Sequence, residues 1–123
     1  MTYKAVLIGT GAIAPAHVAA CRDNAARIML TAAMNPDGGQ ARAFCEAHDI
    51  PAAYDDLDAV LAAEKPAVAL IASPPAVHTQ QISACLEAGA WVLCEKPFCA
   101  SLADLDRIEA VEQRTGQRAA SVF

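Results

Sequence analysis

The chain has 123 residues, which suits one domain of ordinary size and is too short for two. Nine basic and fourteen acidic residues give a formal net charge of −5 without a basic cluster, so neither nucleic acid nor an anionic membrane is an expected partner. No uninterrupted apolar stretch approaches the roughly 20 residues of a membrane span, and the N-terminal residues predict no export signal.

Strand-like and helix-like segments alternate along the chain. Strands are predicted at 3–8, 28–34, 67–72 and 90–94, with another opening at 119–123, and helices at 12–24, 37–48, 55–63, 76–88 and 101–115. The segment 67–72 is wholly apolar, as a strand covered on both faces requires. The alternation predicts the α/β class, as a doubly wound, mainly parallel sheet with helices on both sides.

The turn after the first strand has a G-x-G-x-x-A pattern, where a dinucleotide's pyrophosphate would meet the start of a helix. Gly9 permits a tight turn, and Gly11 lets the backbone approach a phosphate without a Cβ in the way. Free N–H groups and the helix dipole then favour an anion. The pattern predicts cofactor contacts from Gly9, Thr10, Gly11, Ala12 and Ile13.

Dinucleotide folds usually carry an acidic residue after the second strand to bind ribose hydroxyls, and Asn35 stands there instead. Asn35 and Asp37 are predicted to contact the ribose. A neutral amide repels a 2′-phosphate less than a carboxylate would, yet no arginine is adjacent, so NAD and NADP both stay open as cofactors. The alternative interpretation is that residues 35–38 form a plain turn.

The five cysteines are an odd set without a C-x-x-C pair, which predicts neither a disulfide framework nor a zinc knuckle. No metal site is therefore expected, and a reducing cytoplasm is the expected location. Free cysteines are often buried, so core packing is their expected role. Trp91, on a strand, is likewise expected in the core. His17 and His48 are interpreted as structural residues.

Two later segments, Ser73 to His78 and Glu95-Lys96-Pro97, also follow predicted strands. Together with the glycine turn and the run from Cys85 to Leu93, they make the chain resemble the glucose-fructose oxidoreductase, inositol dehydrogenase and rhizopine-catabolism family (Gfo/Idh/MocA). The resemblance covers essentially the whole chain as that family's N-terminal, Rossmann-type NAD(P)-binding domain, here residues 1–123.

The resemblance implies hydride transfer between a nicotinamide and a hydroxyl-bearing carbon of a sugar, cyclitol or related molecule. It implies that Lys96 is catalytic and, with Ser73, Pro74, His78 and Glu95, lies at the cofactor. An amine near the reacting carbon can share the hydroxyl proton. Glu95 would position Lys96, and Pro97 is expected to follow a cis peptide bond.

Family members continue into a second, α+β domain that holds substrate and makes oligomer contacts. The chain is therefore expected to be a truncation that lacks this domain and is inactive alone, with a homo-oligomer as the full-length form. It departs from the family pattern at two positions. Asn35 replaces the more usual acidic residue, and Pro75 stands where members commonly have asparagine. Two alternatives stay open: a non-catalytic NAD(P)-binding sensing or assembly module, and, with less support, a methyltransferase.

Overall fold

A computed structural model describes residues 1–122 of the chain, so Phe123, the last residue of the final predicted strand, lies outside the described residues. The elements follow in the order β1 (Tyr3–Ile8), α1 (Ala14–Asp23), β2 (Ile28–Met34), α2 (Gly38–Ala47), β3 (Ala52–Tyr54), α3 (Leu57–Glu64), β4 (Val68–Ile71), a 3-10 turn (Pro75–Val77), α4 (His78–Glu87), β5 (Trp91–Cys94), α5 (Leu102–Thr115) and β6 (Ala119–Ser121).

All six strands pair in parallel, in the order β3-β2-β1-β4-β5-β6. This is the strand order of the Rossmann fold, so the predicted fold class is confirmed. The chain runs outward from β1 to β3, then returns to place β4 on the other side of β1. The direction of winding therefore reverses between β1 and β4, and ligands of such sheets bind at the strand ends beside this point.

Alternating residues of β1 divide the core between the two faces of the sheet. Leu7 packs in a cluster with residues of α1 and α2, whereas Val6 and Ile8 pack in a second cluster with residues of α3, α4 and α5. Because side chains alternate across a strand, apolar residues at consecutive positions serve both clusters. The helices therefore cover both faces, as the apolar strands predict.

Local signals set several helix ends. Pro15 lies in the first turn of α1, where its missing N–H removes no helical hydrogen bond. Ser101 caps α5, since its hydroxyl accepts from Asp104 N at 3.1 Å. Gly116 ends the same helix at φ +79°. The predicted helix 12–24 begins later than expected, at Ala14, because residues 9–13 are used by the turn.

Two expectations about the fold are wrong. β3 was not predicted, yet Ala52 and Tyr54 pair with Ala32 and Met34 of β2 at the edge of the sheet. Trp91, expected in the core, begins β5 and is 54% exposed. It lies at the amino ends of the strands, the edge opposite the glycine turn. Within residues 1–122, no helix has the length and apolarity to cross a bilayer.

Candidate functional site

The loops that follow β1, β2, β4 and β5 meet at one edge of the sheet. Backbone hydrogen bonds join them where the strands end: Gly9 N donates to Met34 O at 2.8 Å, and Glu95 N donates to Ile71 O at 2.8 Å. The glycine turn and the Glu-Lys-Pro segment therefore share an edge, with only β4 between their strands. An arrangement on opposite edges would have excluded a common site.

The two glycines of the turn sit in different surroundings. Gly9 has φ +98°, and a Cβ on it would lie 2.6 Å from Ser73 N and 2.8 Å from Ala72 C. A Cβ on Gly11 would meet no atom within 4 Å. Gly9 is therefore required by the close approach of the β4 loop, whereas Gly11 leaves space open in front of the turn, as a phosphate approaching the backbone requires.

A cleft of about 480 Å³ lies between the loops that follow β1, β2 and β4. Of the predicted cofactor residues, it includes Gly9, Thr10, Gly11, Asn35, Ser73 and Pro74. The remaining lining residues, absent from the sequence prediction, are Met34, Pro36, Ala72, Val77 and Gln81. Ala12, Ile13, Asp37, His78, Glu95 and Lys96 do not line this cleft.

Asn35 and Asp37 organise the loop after β2. The amide of Asn35 donates from Nδ2 to Thr10 Oγ1 at 2.7 Å and accepts Asp37 N on Oδ1 at 2.8 Å. The Asp37 carboxylate accepts from Gly39 N and Gln40 N at 3.0 and 3.2 Å, and so caps α2. Asn35 therefore ties this loop to the glycine turn, and Asp37 places a negative charge beside it.

Arg42 also approaches the loop after β2, a proximity that the sequence did not reveal. A Cβ on Gly38 would lie 3.4 Å from the Arg42 guanidinium and 3.4 Å from the Asp55 carboxylate. The exposed arginine reaches back by one helical turn of α2. The loop thus has charges of both signs near it, which bears on the choice between NAD and NADP.

His78 links two loops from inside the protein and does not face the cleft. Its side chain is fully buried, with Nδ1 2.8 Å from Pro97 O and Nε2 2.7 Å from Ser73 O. Each ring nitrogen thus lies at hydrogen-bonding distance from a backbone carbonyl oxygen, and the one N–H of a neutral imidazole can donate to one of the two. The expectation that His78 contacts a cofactor directly is not supported by this geometry, which makes it a connector between the loops after β4 and β5.

The Glu-Lys-Pro segment is joined to α1 by a side-chain contact. His17 Nε2 lies 2.9 Å from Glu95 Oε1, and both side chains are largely buried. His17 thus contacts Glu95 and not a helix end, and its structural role stays a prediction. Lys96 is exposed beside this anchored glutamate, and the Lys96–Pro97 peptide bond is cis, as predicted.

Gln81 is the residue of the cleft that the sequence prediction missed most clearly. It lies three positions after His78, on the same face at the start of α4, and accepts a hydrogen bond from Ser73 Oγ on Oε1. The three-residue spacing from His78, which the sequence analysis had named, was the signal that could have found it.

The cysteines of the described residues are all free, and four are buried. Burial raises the pKa of the Cys85 thiol to about 12, and burial together with the charge of Glu95 raises that of Cys94 to about 12. Neither thiol supplies a thiolate near neutral pH, so both belong to the core. No cluster of three metal-ligating side chains occurs within residues 1–122.

A family model described as an oxidoreductase family with an NAD-binding Rossmann fold matches residues 3–123. The chain therefore belongs to the Gfo/Idh/MocA family and is its NAD-binding domain. This membership confirms the resemblance drawn from the motifs, and it leaves the methyltransferase alternative without support.

Among curated relatives, inositol 2-dehydrogenase 1 of Saccharopolyspora erythraea is 38% identical over 120 residues, which are 96% of this chain and 35% of that protein. D-apiose dehydrogenase of Paraburkholderia graminis is 33% identical over 115 residues, 93% of this chain and 30% of that protein. The chain thus spans about a third of the length of these relatives.

Among solved structures, the WlbA dehydrogenase from Bordetella pertussis, in complex with NADH and UDP-GlcNAcA, matches with a TM-score of 0.92. The alignment is 23% identical and covers 99% of this chain and 37% of that one. At this identity the match shows that the fold is shared.

Proposed function

We propose that the chain is the cofactor-binding part of an NAD-dependent oxidoreductase that moves a hydride between a nicotinamide and a hydroxyl-bearing carbon of a cyclitol or sugar. One observation carries the proposal: the glycine turn and Lys96 lie at the same sheet edge, and the His17–Glu95 contact joins the elements that bear them. Its similarity to an inositol 2-dehydrogenase and a D-apiose dehydrogenase supports the substrate class.

The glycine turn and the start of α1 would hold the pyrophosphate. Gly11 leaves the approach free of side chains, and the amino end of a helix favours an anion through its free N–H groups and dipole. Asn35 and Thr10, already hydrogen-bonded to each other, would form the ribose side of the site. These residues lie together at the strand ends, where dinucleotide folds bind their cofactor.

Lys96 would handle the proton of the reaction. A bound nicotinamide supplies the hydride acceptor. In the oxidation direction, the neutral amine of Lys96 would accept the hydroxyl proton at Nζ, while the C–H hydrogen would leave as hydride to the nicotinamide and the C–O bond would become a carbonyl. Glu95, fixed by His17 at 2.9 Å, orients the backbone from which Lys96 extends. Lys96 is therefore the proposed catalytic residue and Glu95 a positioning residue.

The test uses the polypeptide as its gene encodes it. We expect NADH to bind, and myo-inositol or a related polyol to be oxidised with NAD. Lys96→Ala should lower kcat at least about 100-fold while NADH binding is kept, since general acid–base groups contribute about 10² to 10⁴. Lys65→Ala, on a different loop, is the control. Failure of the wild-type protein to bind either dinucleotide would contradict the proposal.

A non-catalytic NAD-binding module is the second candidate, and Pro75 favours it by standing where family members commonly have asparagine. This hypothesis requires that the protein binds the cofactor and turns over no polyol. Lys96→Ala would then have no turnover to lower. The same measurements therefore separate the two candidates.

NAD is the proposed cofactor in preference to NADP. The Asp37 carboxylate occupies the Gly39 and Gln40 amides that a 2′-phosphate could otherwise bind, and its charge opposes that group. Asp37→Asn should preserve the cap and raise the affinity for NADP relative to NAD. Should the wild-type protein prefer NADP, Arg42 would be its ligand, and Arg42→Ala would remove the preference.

The remaining proposals concern the whole protein. An α+β domain following residue 123 would hold the substrate and make a homo-oligomer, so residues 1–123 alone should bind cofactor without turnover. A cytoplasmic location is supported by the free thiols, since a reducing compartment keeps cysteines unpaired. Size-exclusion chromatography of the encoded polypeptide measures its oligomeric state. Assays of cofactor binding and turnover, on the encoded polypeptide and on residues 1–123, test which domain carries which role.

A further inference from the structure

The side-chain amide of Gln81 has its oxygen in a hydrogen bond and its nitrogen without an acceptor among residues 1–122. The residue is only 8% exposed, yet its side chain lines the cleft between the loops after β1, β2 and β4. Its Oε1 accepts the hydroxyl proton of Ser73, a neighbour in the same cleft. The contact with Ser73 therefore fixes the amide so that Nε2 is the end left for another partner.

Within residues 1–122, Gln81 Nε2 donates to no acceptor. No fully buried side-chain nitrogen or oxygen among those residues lacks a hydrogen-bond partner. The unpaired Nε2 is therefore not sealed in the core, and the open space it can reach is the cleft. An amide donor held in a largely buried position and facing a cavity is arranged to meet an acceptor on a ligand.

The buried side chain of His78 contacts the backbone of Ser73. His78 Nε2 lies 2.7 Å from Ser73 O, while its Nδ1 lies 2.8 Å from Pro97 O. The amide of Gln81 is thus positioned through Ser73 by a histidine with no exposed surface. Because a pre-ordered donor loses little conformational entropy when a ligand binds, such a group can contribute to both affinity and specificity.

The walls of the cleft are mostly apolar. Met34 and Pro36 lie on the β2 side, and Ala72, Pro74 and Val77 lie on the β4 side. Apolar walls with a free amide donor beside them suit a flat heteroaromatic ring that carries an acceptor atom. The glycine turn lines the same cleft and would hold the phosphates, whereas Lys96, proposed to act at the nicotinamide, does not line it. The apolar walls are therefore left for the adenosine.

We propose that Gln81 binds the adenine of the cofactor, its Nε2 donating a hydrogen bond to a ring nitrogen of the base. The proposal rests on the proposed function, because it takes NAD as the ligand. It adds a specificity-determining residue that reads the base and not the phosphates or the nicotinamide. Adenine offers N1, N3 and N7 as acceptors, whereas Nε2 offers only donors, so replacing the ring nitrogen that Gln81 meets should remove its hydrogen bond.

The experiment measures dissociation constants of ADP and of its 1-deaza, 3-deaza and 7-deaza analogues by calorimetry. Wild-type protein should bind one analogue about 3- to 10-fold more weakly than ADP, the worth of one neutral hydrogen bond. Gln81→Leu should bind ADP itself more weakly by a similar factor and discriminate against none of the analogues. Gln80→Leu, the same change at the exposed neighbouring position, should behave as wild type.

The outcomes separate this proposal from the function on which it rests. If wild-type protein binds NADH and ADP but Gln81→Leu keeps the same discrimination, the role of Gln81 is wrong and the function stands. If wild-type protein binds neither ligand, both are wrong. Urea unfolding of each variant checks folding, and Gln81→Glu, which keeps the side-chain length but places a carboxylate there, should lose the same discrimination.

Discussion

At the scale of single residues, the glycine turn separates a structural requirement from a binding requirement. Gly9 combines a left-handed backbone with direct contact to the β4 loop, whereas Gly11 has open space in front of it. The same letter in the same motif therefore serves two purposes. Substituting alanine at each position distinguishes them, because the added methyl group meets protein in one case and the ligand's space in the other.

Gly9→Ala is expected to destabilise the fold, and Gly11→Ala to spare it. The left-handed backbone alone costs a non-glycine residue about 1–2 kcal/mol, and a Cβ 2.6 Å from Ser73 N adds to this cost. Gly11→Ala should change the unfolding free energy by less than about 0.5 kcal/mol and weaken NADH binding. Urea unfolding and calorimetry measure the two effects. Equal stability of the two variants would contradict this division.

His78 is expected to contribute to stability through its two carbonyl contacts. His78→Ala removes a fully buried ring that lies between the carbonyl groups of Ser73 and Pro97, and with it the hydrogen bond that the ring donates there. The loss should be about 2–4 kcal/mol of unfolding free energy, with faster hydrogen exchange around the Glu-Lys-Pro segment. His48→Ala, at a partly exposed site beside Phe44, is the control. A stability like wild type in His78→Ala would argue against the connector role.

Motif residues were the part of the site that the sequence could predict. Several of the residues that lie around the cleft as predicted come within two positions after a strand that ends at this edge, namely Gly9, Thr10, Asn35 and Ser73. The internal partners were not predictable, since the His17–Glu95 contact joins residues 78 positions apart. Which ring nitrogen of His78 meets which carbonyl likewise depends on the packing of two loops.

At the scale of elements, α5 depends on its capping residue. Ser101 Oγ accepts from Asp104 N at 3.1 Å, and the helix then packs along α4. Ser101→Ala should lower the unfolding free energy by about 1 kcal/mol. Ser101→Asp should restore it, because a carboxylate caps equally well and favours the helix dipole. Thermal unfolding of the three proteins measures this order, and equal midpoints would contradict it.

The elements that sequence patterns predict are those whose signal is local. Ser101, Gly89 and Gly116 mark helix ends with their own chemistry, and their positions agree with the structure. β3 has no such signal, because it is three residues long, begins with two alanines of low strand preference, and forms only through pairing with β2. The prediction for Trp91 was wrong because a position on a strand does not determine whether that end of the sheet is buried.

At the scale of the whole molecule, the topology places the site. Parallel strands bring every loop that follows a strand to one edge, and the reversal between β1 and β4 opens a cleft there. This much follows from the alternation of strands and helices in the sequence, since nearly all βαβ crossovers share one hand. Trp91 lies exposed at the opposite edge and does not line the cleft, so a change in its emission on cofactor binding would not come from direct contact.

Because of the buried thiols, the free energy of unfolding should fall as the pH rises into the alkaline range. Burial raises the pKa of Cys85 and Cys94 from 9.0 to about 12 in the folded protein, so each group binds its proton more tightly there than in the unfolded chain. Their contribution is fully present below pH 9 and is lost as the pH rises toward 12, by up to about 1.4 kcal/mol per pH unit for each thiol. Urea unfolding at pH 8, 9.5 and 10.5 should show this decline. The Cys85→Ala/Cys94→Ala variant, less stable at pH 8 because of lost packing, should decline less steeply, and parallel slopes would show that these thiols are not responsible.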